Sequence, residues 1–569
     1  MGVFDYESNE AIGFVESVDT SIVVVRVEDE KKLCQLQVNH LAVLRSSKVG
    51  QHLIGLVIKI MRKCHMDPID DENDIANESI DNVVKIALIG THIDKFGERE
   101  NVFKRTLETV PEINAECFIL NGDKLTEFMK SISYQASKDG TPLSLGQYTL
   151  DDEAEAWVDG NKFFQRHAVI VGSTGSGKSW SVARLIEQIS TLKSANAVLF
   201  DIHGEYAPIK GLGIKHLKIA GPNDKPSDKI IFLPYWLLTY EEMVSLMLDR
   251  SDSNAPNQAM AFSNIVIQLK KKYLEELKKD DVLSNFTVDS PIPYDLAKVF
   301  SELQALDNEM IQGVRGEKQG PLNGKLTRFI QRLAAKVDDK RLNFLFNSNG
   351  ELIKYNYMEF LCNALMSPSC LNDGAGVKII DFSEVPSDIL PLIVSLIARV
   401  IFSVQQWVDK EKRHPIAIFC DEAHLYIPSN AEKGVDITSL QSFERISKEG
   451  RKYGVGLVVI SQRPAEVNRT VLSQSSNFIA MRLTNADDQA VVRRLLPDSL
   501  GNFADLLPVL DVGEALVVGD ACLLPSRIRI KEPKLKPNSA TVNFWTEWSK
   551  DIAEDVVSKA VEALRKQLK

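Results

Sequence analysis

Residues Val169 to Trp180 read VIVGSTGSGKSW: an apolar run, a glycine-rich loop, then a lysine and a serine. Gly172, Ser173, Thr174, Gly175, Ser176, Gly177, Lys178 and Ser179 satisfy G-x-x-x-x-G-K-[ST] in full, with Trp180 next in line. The preceding HAVIVG is a continuous apolar strand of the kind a parallel sheet covers on both faces. Behind the loop, KSWSVARLIEQISTL carries helical periodicity. In that context the glycines let backbone N–H groups close around phosphate oxygens, and the helix N-terminus adds positive potential. The stretch predicts a nucleotide site built from residues 172–180, with Lys178 reaching the β- and γ-phosphates and Ser179 ligating Mg²⁺.

Working outward, the same strand–loop–helix rhythm recurs. AVLFDIHGEY is a second strand; VKIIDFS near 377, PIAIFCDEAH near 415, VGLVVISQRP near 455 and NFIAMRL near 477 are further ones. Helical segments over 388–410, 438–453 and 487–496 lie between them. This pattern predicts a doubly wound α/β core in two pieces, 161–237 and 366–530. Between the pieces, 238–365 carries apolar residues at helical spacing and is expected to be a helical insertion, including a helix over DLAKVFSELQALDNEMI. Residues 1–98 read as short strands around turns, a small β-barrel or sandwich, with the acidic DPIDDENDIANES as a solvated loop. Residues 99–160 are expected to be a linker of mixed character leading into the core. GEALVVGDACLLPSRIRIKEP reads as a hairpin, and 531–569 as a tail with one amphipathic helix over about 546–568.

Bulk properties narrow the class. The chain has 569 residues, 44% hydrophobic and 25% charged, which fits globular domains with sizeable cores. The longest apolar run, Ile389 to Val404, is cut by Pro391, Ser395 and Arg399, and falls short of the ~18 residues a membrane span needs. The N-terminus, MGVFDYESNE, lacks the features of a signal peptide. Seven scattered cysteines with no CxxC pair fit a reducing compartment. A cytoplasmic protein without a membrane partner is expected. The formal net charge of −11 opposes a coat of nucleic acid but not a basic channel lining.

Other strand ends carry chemistry. Asp421 follows the apolar strand IAIFC, which puts it at the edge of a sheet as a second Mg²⁺ ligand; Glu422 is then placed to polarise water, which points to hydrolysis rather than transfer to a second substrate. Gln462 ends the next strand as a candidate γ-phosphate sensor. Arg451, in ERISKEGRKYG, is poorly placed for its own loop and is predicted to act on a neighbour's nucleotide, with Arg445 and Lys452 competing for that role. Asp201, His203 and Glu205 are expected to form either a structural turn or one adjacent to the nucleotide, Glu205 facing the catalytic water or a partner subunit; no second histidine stands at metal-binding spacing. Arg315, Lys318, Lys325, Arg328, Arg332 and Lys336 in the insertion either line a channel for duplex phosphates or form an exposed helix face.

Taken together, HAVIVGSTGSGKS, VLFDIHGEY, IFCDEAH and SKEGRKYGVGLVVISQRP resemble the HerA family of hexameric ATPases, in the HerA/FtsK class, and the resemblance spans nearly the whole chain. It implies a RecA-like P-loop core and a barrel similar to that of ATP synthase subunits. It implies ATP and Mg²⁺ as cofactors and a homo-oligomeric ring, usually a hexamer. Such a ring moves double-stranded DNA through its channel without sequence specificity, as a translocase or helicase. It further implies a nuclease partner of the NurA type in DNA end processing, or another effector in anti-phage defence. Lys178, Ser179, Asp421, Glu422, Gln462 and Arg451 fall on the family's functional positions. A different class stays open: an ATP-regulated ring that serves as a scaffold to assemble and activate an effector enzyme.

Overall fold

The computed structural model describes the chain except residues 1–3, 5, 35, 67–77, 94–101, 138–142, 222, 250, 314–315, 348–349, 371–374, 431–433, 497, 540–542, 551–556 and 567–569. The acidic loop expected at 67–79 and Arg315 therefore lie largely or wholly outside the described residues. The chain forms two compact units, each assembled from separate stretches: Met1–Leu185 with Gln462–Ala465 and Ser475–Lys534, and Ile186–Ser461 with Glu466–Gln474 and Leu535–Lys569.

The first unit begins with a closed barrel. Alternation drives it: in Ile22–Arg26 the side chains of Val23 and Val25 are fully buried while Arg26 is exposed. Six antiparallel strands run in the order Ile22–Arg26, Gly13–Asp19, Glu116–Ile119, Leu41–Arg45, Gln51–Met66 and Glu78–Ile93. Pairing of Ile22–Arg26 with residues 83–87 closes the ring, so these strands leave no free edge. Val15, Val25, Leu44, Leu53, Val57, Ile86 and Cys117 fill the interior. The long hairpin bends at Gly55, where a Cβ would sit 2.3 Å from Ile86 Cγ2 and the register shifts.

This barrel reaches past the boundary at 98 expected from the sequence, because its stave Glu116–Ile119 comes from the presumed linker. A four-residue apolar run has no period that distinguishes strand from helix, so only closure reveals it. The same linker supplies the hairpin Leu143–Tyr148/Asp151–Val158. That hairpin extends a sheet ordered Ala168–Val171, Asn477–Met481, Glu514–Gly519, Ser526–Ile530, Leu143–Tyr148, Asp151–Val158. The first pair is parallel and the rest antiparallel.

The second unit carries six parallel strands in the order Ile230–Ile231, Ile214–Ile219, Val377–Asp381, Ala197–Asp201, Ile416–Cys420 and Val455–Ser461. The last three are buried along their whole length, as strands covered by helices on both faces must be. Leu390–Trp407 is long and apolar enough to cross a membrane, yet 72% of it is buried inside the protein, and it packs as a core helix beside Gly434–Tyr453. Pro391 stands in its first turn, where its missing N–H costs nothing.

The segment 238–365 contributes the helices Tyr240–Met247, Ala255–Glu276, Leu296–Asp307, Thr327–Val337 and Tyr357–Met366. It also holds a two-stranded hairpin, Met310–Gly313 with Gly316–Gln319, where the sequence pattern had extended a helix to Ile311. The helix stops at Asp307, whose carboxylate accepts from the Leu326 N–H and the Thr327 hydroxyl. Arg399 of the core helix donates to both carboxylate oxygens of buried Glu242, at 2.8 and 2.7 Å, and to the Leu237 carbonyl. The tail forms two short helices, Phe544–Trp548 and Val557–Lys566, rather than one continuous helix.

Candidate nucleotide site

In the first unit the strand Ala168–Val171 ends in the glycine loop, and the helix Lys178–Ser190 follows directly. Gly175 and Gly177 adopt φ of +74° and +107°, values that side-chain-bearing residues rarely hold. A Cβ on Gly177 would meet Met481 Cε at 2.9 Å and crowd the backbone of Gly513. The loop is braced from outside itself: Ser173 N–H donates to the Arg482 carbonyl at 2.8 Å, and Gly513 N–H to the Ser176 carbonyl at 3.0 Å. Lys178 is only 7% exposed. Gln462 reaches this loop, with the Thr174 hydroxyl donating to its Oε1 at 2.5 Å.

The bracing by Gly513 was not anticipated from the sequence. Its neighbour Glu514 is buried and accepts from Arg527 and Arg529, and that ion cluster holds its carboxyl below the usual range despite the opposing cost of burial. The signal was present as a charged residue at the start of an otherwise apolar strand, GEALVVG.

In the second unit Asp421 and Glu422 follow the strand Ile416–Cys420 at the carboxyl end of the parallel sheet. They are 4% and 5% exposed. Glu422 has φ +46°, a left-handed backbone that a non-glycine residue holds only where its surroundings impose it. The Tyr426 hydroxyl donates to the Asp421 carbonyl at 2.8 Å and so fixes the turn. His424 Nδ1 lies 3.3 Å from Glu422 Oε2 and 3.3 Å from Ser461 Oγ. Sequence reasoning gave this histidine no role.

Asp201, at the end of the neighbouring strand, accepts from the N–H groups of Glu205 and Tyr206, at 3.0 and 2.9 Å. Burial pushes its pKa up to about 6, and the Asp381 carboxylate adds to the rise. It is thus a turn-former. The Glu205 carbonyl accepts from the Asn538 N–H at 2.7 Å, so the tail crosses this turn.

Arg451 is exposed in the last turn of Gly434–Tyr453, just before Val455 pairs beside Ile416. It therefore sits at the edge of the sheet where the strands begin, about 20 Å of strand away from the edge bearing Asp421 and Glu422. Arg445 is engaged within its own unit: its guanidinium lies 5.5 Å over the Phe402 ring and pairs with Glu449. In the insertion, Arg332 pairs with Asp249 at 2.8 Å, while Lys318, Lys325 and Arg328 are exposed.

A phosphate loop between a core strand and its helix, and a carboxylate pair ending a parallel strand, define a RecA-like P-loop ATPase. The family model described as "Helicase HerA, central domain" matches residues 143–401, and "Helicase HerA-like C-terminal" matches 393–529. This chain belongs to the HerA family and is an ATP hydrolase of that family.

The DNA double-strand break repair helicase HerA of Sulfolobus acidocaldarius is 25% identical over 405 residues, covering 70% of this chain and 71% of that one. The same-named protein of Saccharolobus solfataricus is 26% identical over 400 residues, covering 70% of each. A probable helicase of Methanocaldococcus jannaschii is 25% identical over 413 residues, covering 72% of this chain and 71% of that one. Among solved structures, VirB4 of Thermoanaerobacter pseudethanolicus aligns with a TM-score of 0.44 at 16% identity, covering 68% of this chain and 95% of that one.

Proposed function

We propose that this chain forms a ring, a hexamer by family analogy, that uses ATP hydrolysis to move double-stranded DNA for a partner nuclease or other effector. The observation that carries the reading is the Thr174–Gln462 hydrogen bond, which ties the residue just after a core strand to the phosphate loop within the first unit. A residue so placed responds to what the loop holds, and this is the connection a motor needs between nucleotide state and movement.

The loop suits a nucleotide polyphosphate, since its glycines leave the backbone bare where oxygens would approach. Ser179 and Asp421 offer the hard oxygen donors that Mg²⁺ takes, and both would hold it. Bound Mg²⁺ would offset charge on the phosphate oxygens. Lys178 would pair with the β- and γ-phosphates, the backbone of 172–177 would cradle them, and Trp180 would lie beside them in the first helical turn. Glu422 would orient water and accept its proton. Arg451 would act across a subunit boundary, and Glu205 would report on the partner. The exposed bases of the insertion would meet duplex phosphates without reading sequence. The division into barrel, two-part core, insertion and tail belongs to the same reading, with the barrel extended to residue 119.

The deciding experiment is ATP hydrolysis by the purified protein with and without linear duplex DNA at low salt. Strong stimulation is expected. Steady turnover indifferent to DNA would instead favour the scaffold that assembles an effector enzyme.

A further inference from the structure

Glu422 sits on a left-handed backbone in a buried turn, so its carboxylate needs something to fix its direction. The ring of His424, two residues on in the same turn, stands beside it. Nδ1 approaches Glu422 Oε2 to 3.3 Å without a hydrogen bond between them, and because a carboxylate offers only lone pairs this approach favours a proton on Nδ1. The same nitrogen is hydrogen-bonded to Ser461 Oγ at 3.3 Å. Ser461 is fully buried and ends Val455–Ser461, the strand paired with Ile416–Cys420. The imidazole is thus hydrogen-bonded to a fixed point of the sheet at Ser461, while the same nitrogen lies beside the Glu422 carboxylate. The side chains of His424 and Glu422 are 14% and 6% exposed, and weak screening in such a site strengthens the contact.

We propose that His424 is a positioning residue for ATP hydrolysis: held by Ser461, its ring lies against the Glu422 carboxylate and sets its direction. This deepens the proposed function and rests on the reading of Glu422 as the group that orients water. It also gives the final histidine of DEAH a task separate from nucleotide binding. Ser461 is followed directly by Gln462, so the residue that holds the His424 ring adjoins the proposed γ-phosphate sensor.

The test is single-turnover release of labelled phosphate by the full chain, with binding of a fluorescent ATP analogue measured in parallel. His424→Ala is expected to slow hydrolysis about 10–100-fold, as loss of an orienting partner does, with unchanged affinity for the analogue. His424→Asn, whose amide nitrogen occupies the place of Nδ1, is expected to recover most of the rate. In a Glu422→Gln background, His424→Ala is expected to add no further loss. The inference is overturned by an unchanged rate, by an equal loss in both backgrounds, by failure of Asn to outperform Ala, or by loss of analogue binding. Should Glu422→Gln alone hydrolyse ATP at the parent rate, the assignment of Glu422 fails first, and that outcome is distinct from a defect confined to His424.

Discussion

Thr174 and Gln462 lie 288 residues apart in sequence, yet the threonine hydroxyl donates to the glutamine Oε1 at 2.5 Å. The contact joins the glycine loop to the residue that directly follows a core strand, within the first unit. Gln462→Ala removes it and leaves the loop's own bracing by Arg482 and Gly513 intact. Turnover is expected to fall about 10–100-fold with little change in KM for ATP, the pattern of a group that acts in the transition state. Steady-state kinetics check this; a raised KM at constant kcat would make Gln462 a binding residue only.

Arg451 stands at the edge of the sheet remote from Asp421 and Glu422. Arg451→Ala is expected to bind nucleotide normally and hydrolyse it poorly. Lys178→Ala is expected to abolish hydrolysis outright. Rings mixed from the two variants should regain activity, since each subunit supplies what its neighbour lacks. Mixed rings verified by mass spectrometry that remain inactive would remove Arg451 from an intersubunit role.

Asp201 has a pKa raised to about 6 in the folded protein, chiefly by burial. The folded state holds that proton more tightly than the unfolded chain does. Its contribution to stability is therefore complete below about pH 4 and is lost as pH rises through about 6. A shift of this size corresponds to roughly 3 kcal/mol. Asp201→Asn should remove this part of the pH dependence, flattening the fall in Tm between pH 4 and 7 relative to the parent. Parallel Tm profiles for the two proteins would contradict the assignment.

The Arg399–Glu242 pair is bidentate, and Glu242 is 1% exposed. Arg399→Met leaves a buried carboxylate with its partner gone, a change that costs about 3–5 kcal/mol. The double variant Arg399→Met/Glu242→Gln should recover much of that loss. Urea denaturation of the three variants measures the coupling, and additive losses would show that the pair is not the source.

Much of the fold was legible because the core writes itself locally. HAVIVG, AVLFD and VGLVVIS are apolar throughout, and such runs have few places to go except a covered parallel sheet. The glycine loop is likewise explicit in its motif, and Gly175 and Gly177 hold positive φ, which glycine takes without strain. What escaped reading depends on partners far away in sequence. Glu116–Ile119 becomes a barrel stave only because Gly13 and Ala42 lie beside it. Leu143–Tyr148 joins a sheet only through Ser526–Ile530. The hairpin at 310–319 hid behind Met310 and Ile311, which continue the apolar pattern of the preceding helix. His424 escaped because its meaning depends on Ser461, 37 residues on, and no local pattern marks that pairing.

The pairing of Leu143–Tyr148 with Ser526–Ile530 has a temporal consequence. Thr149 already waits for Arg527, 378 residues later, to supply the carbonyl that its N–H and hydroxyl both use. At about 5–20 residues per second, a ribosome needs roughly 20 to 75 s to deliver it. Through that interval the nascent chain carries a strand edge with no mate, while the entire second unit except its tail is being made. The barrel can close early, but the sheet beside the phosphate loop is completed almost last, so the site that binds nucleotide is also the part of the newborn protein most in need of protection.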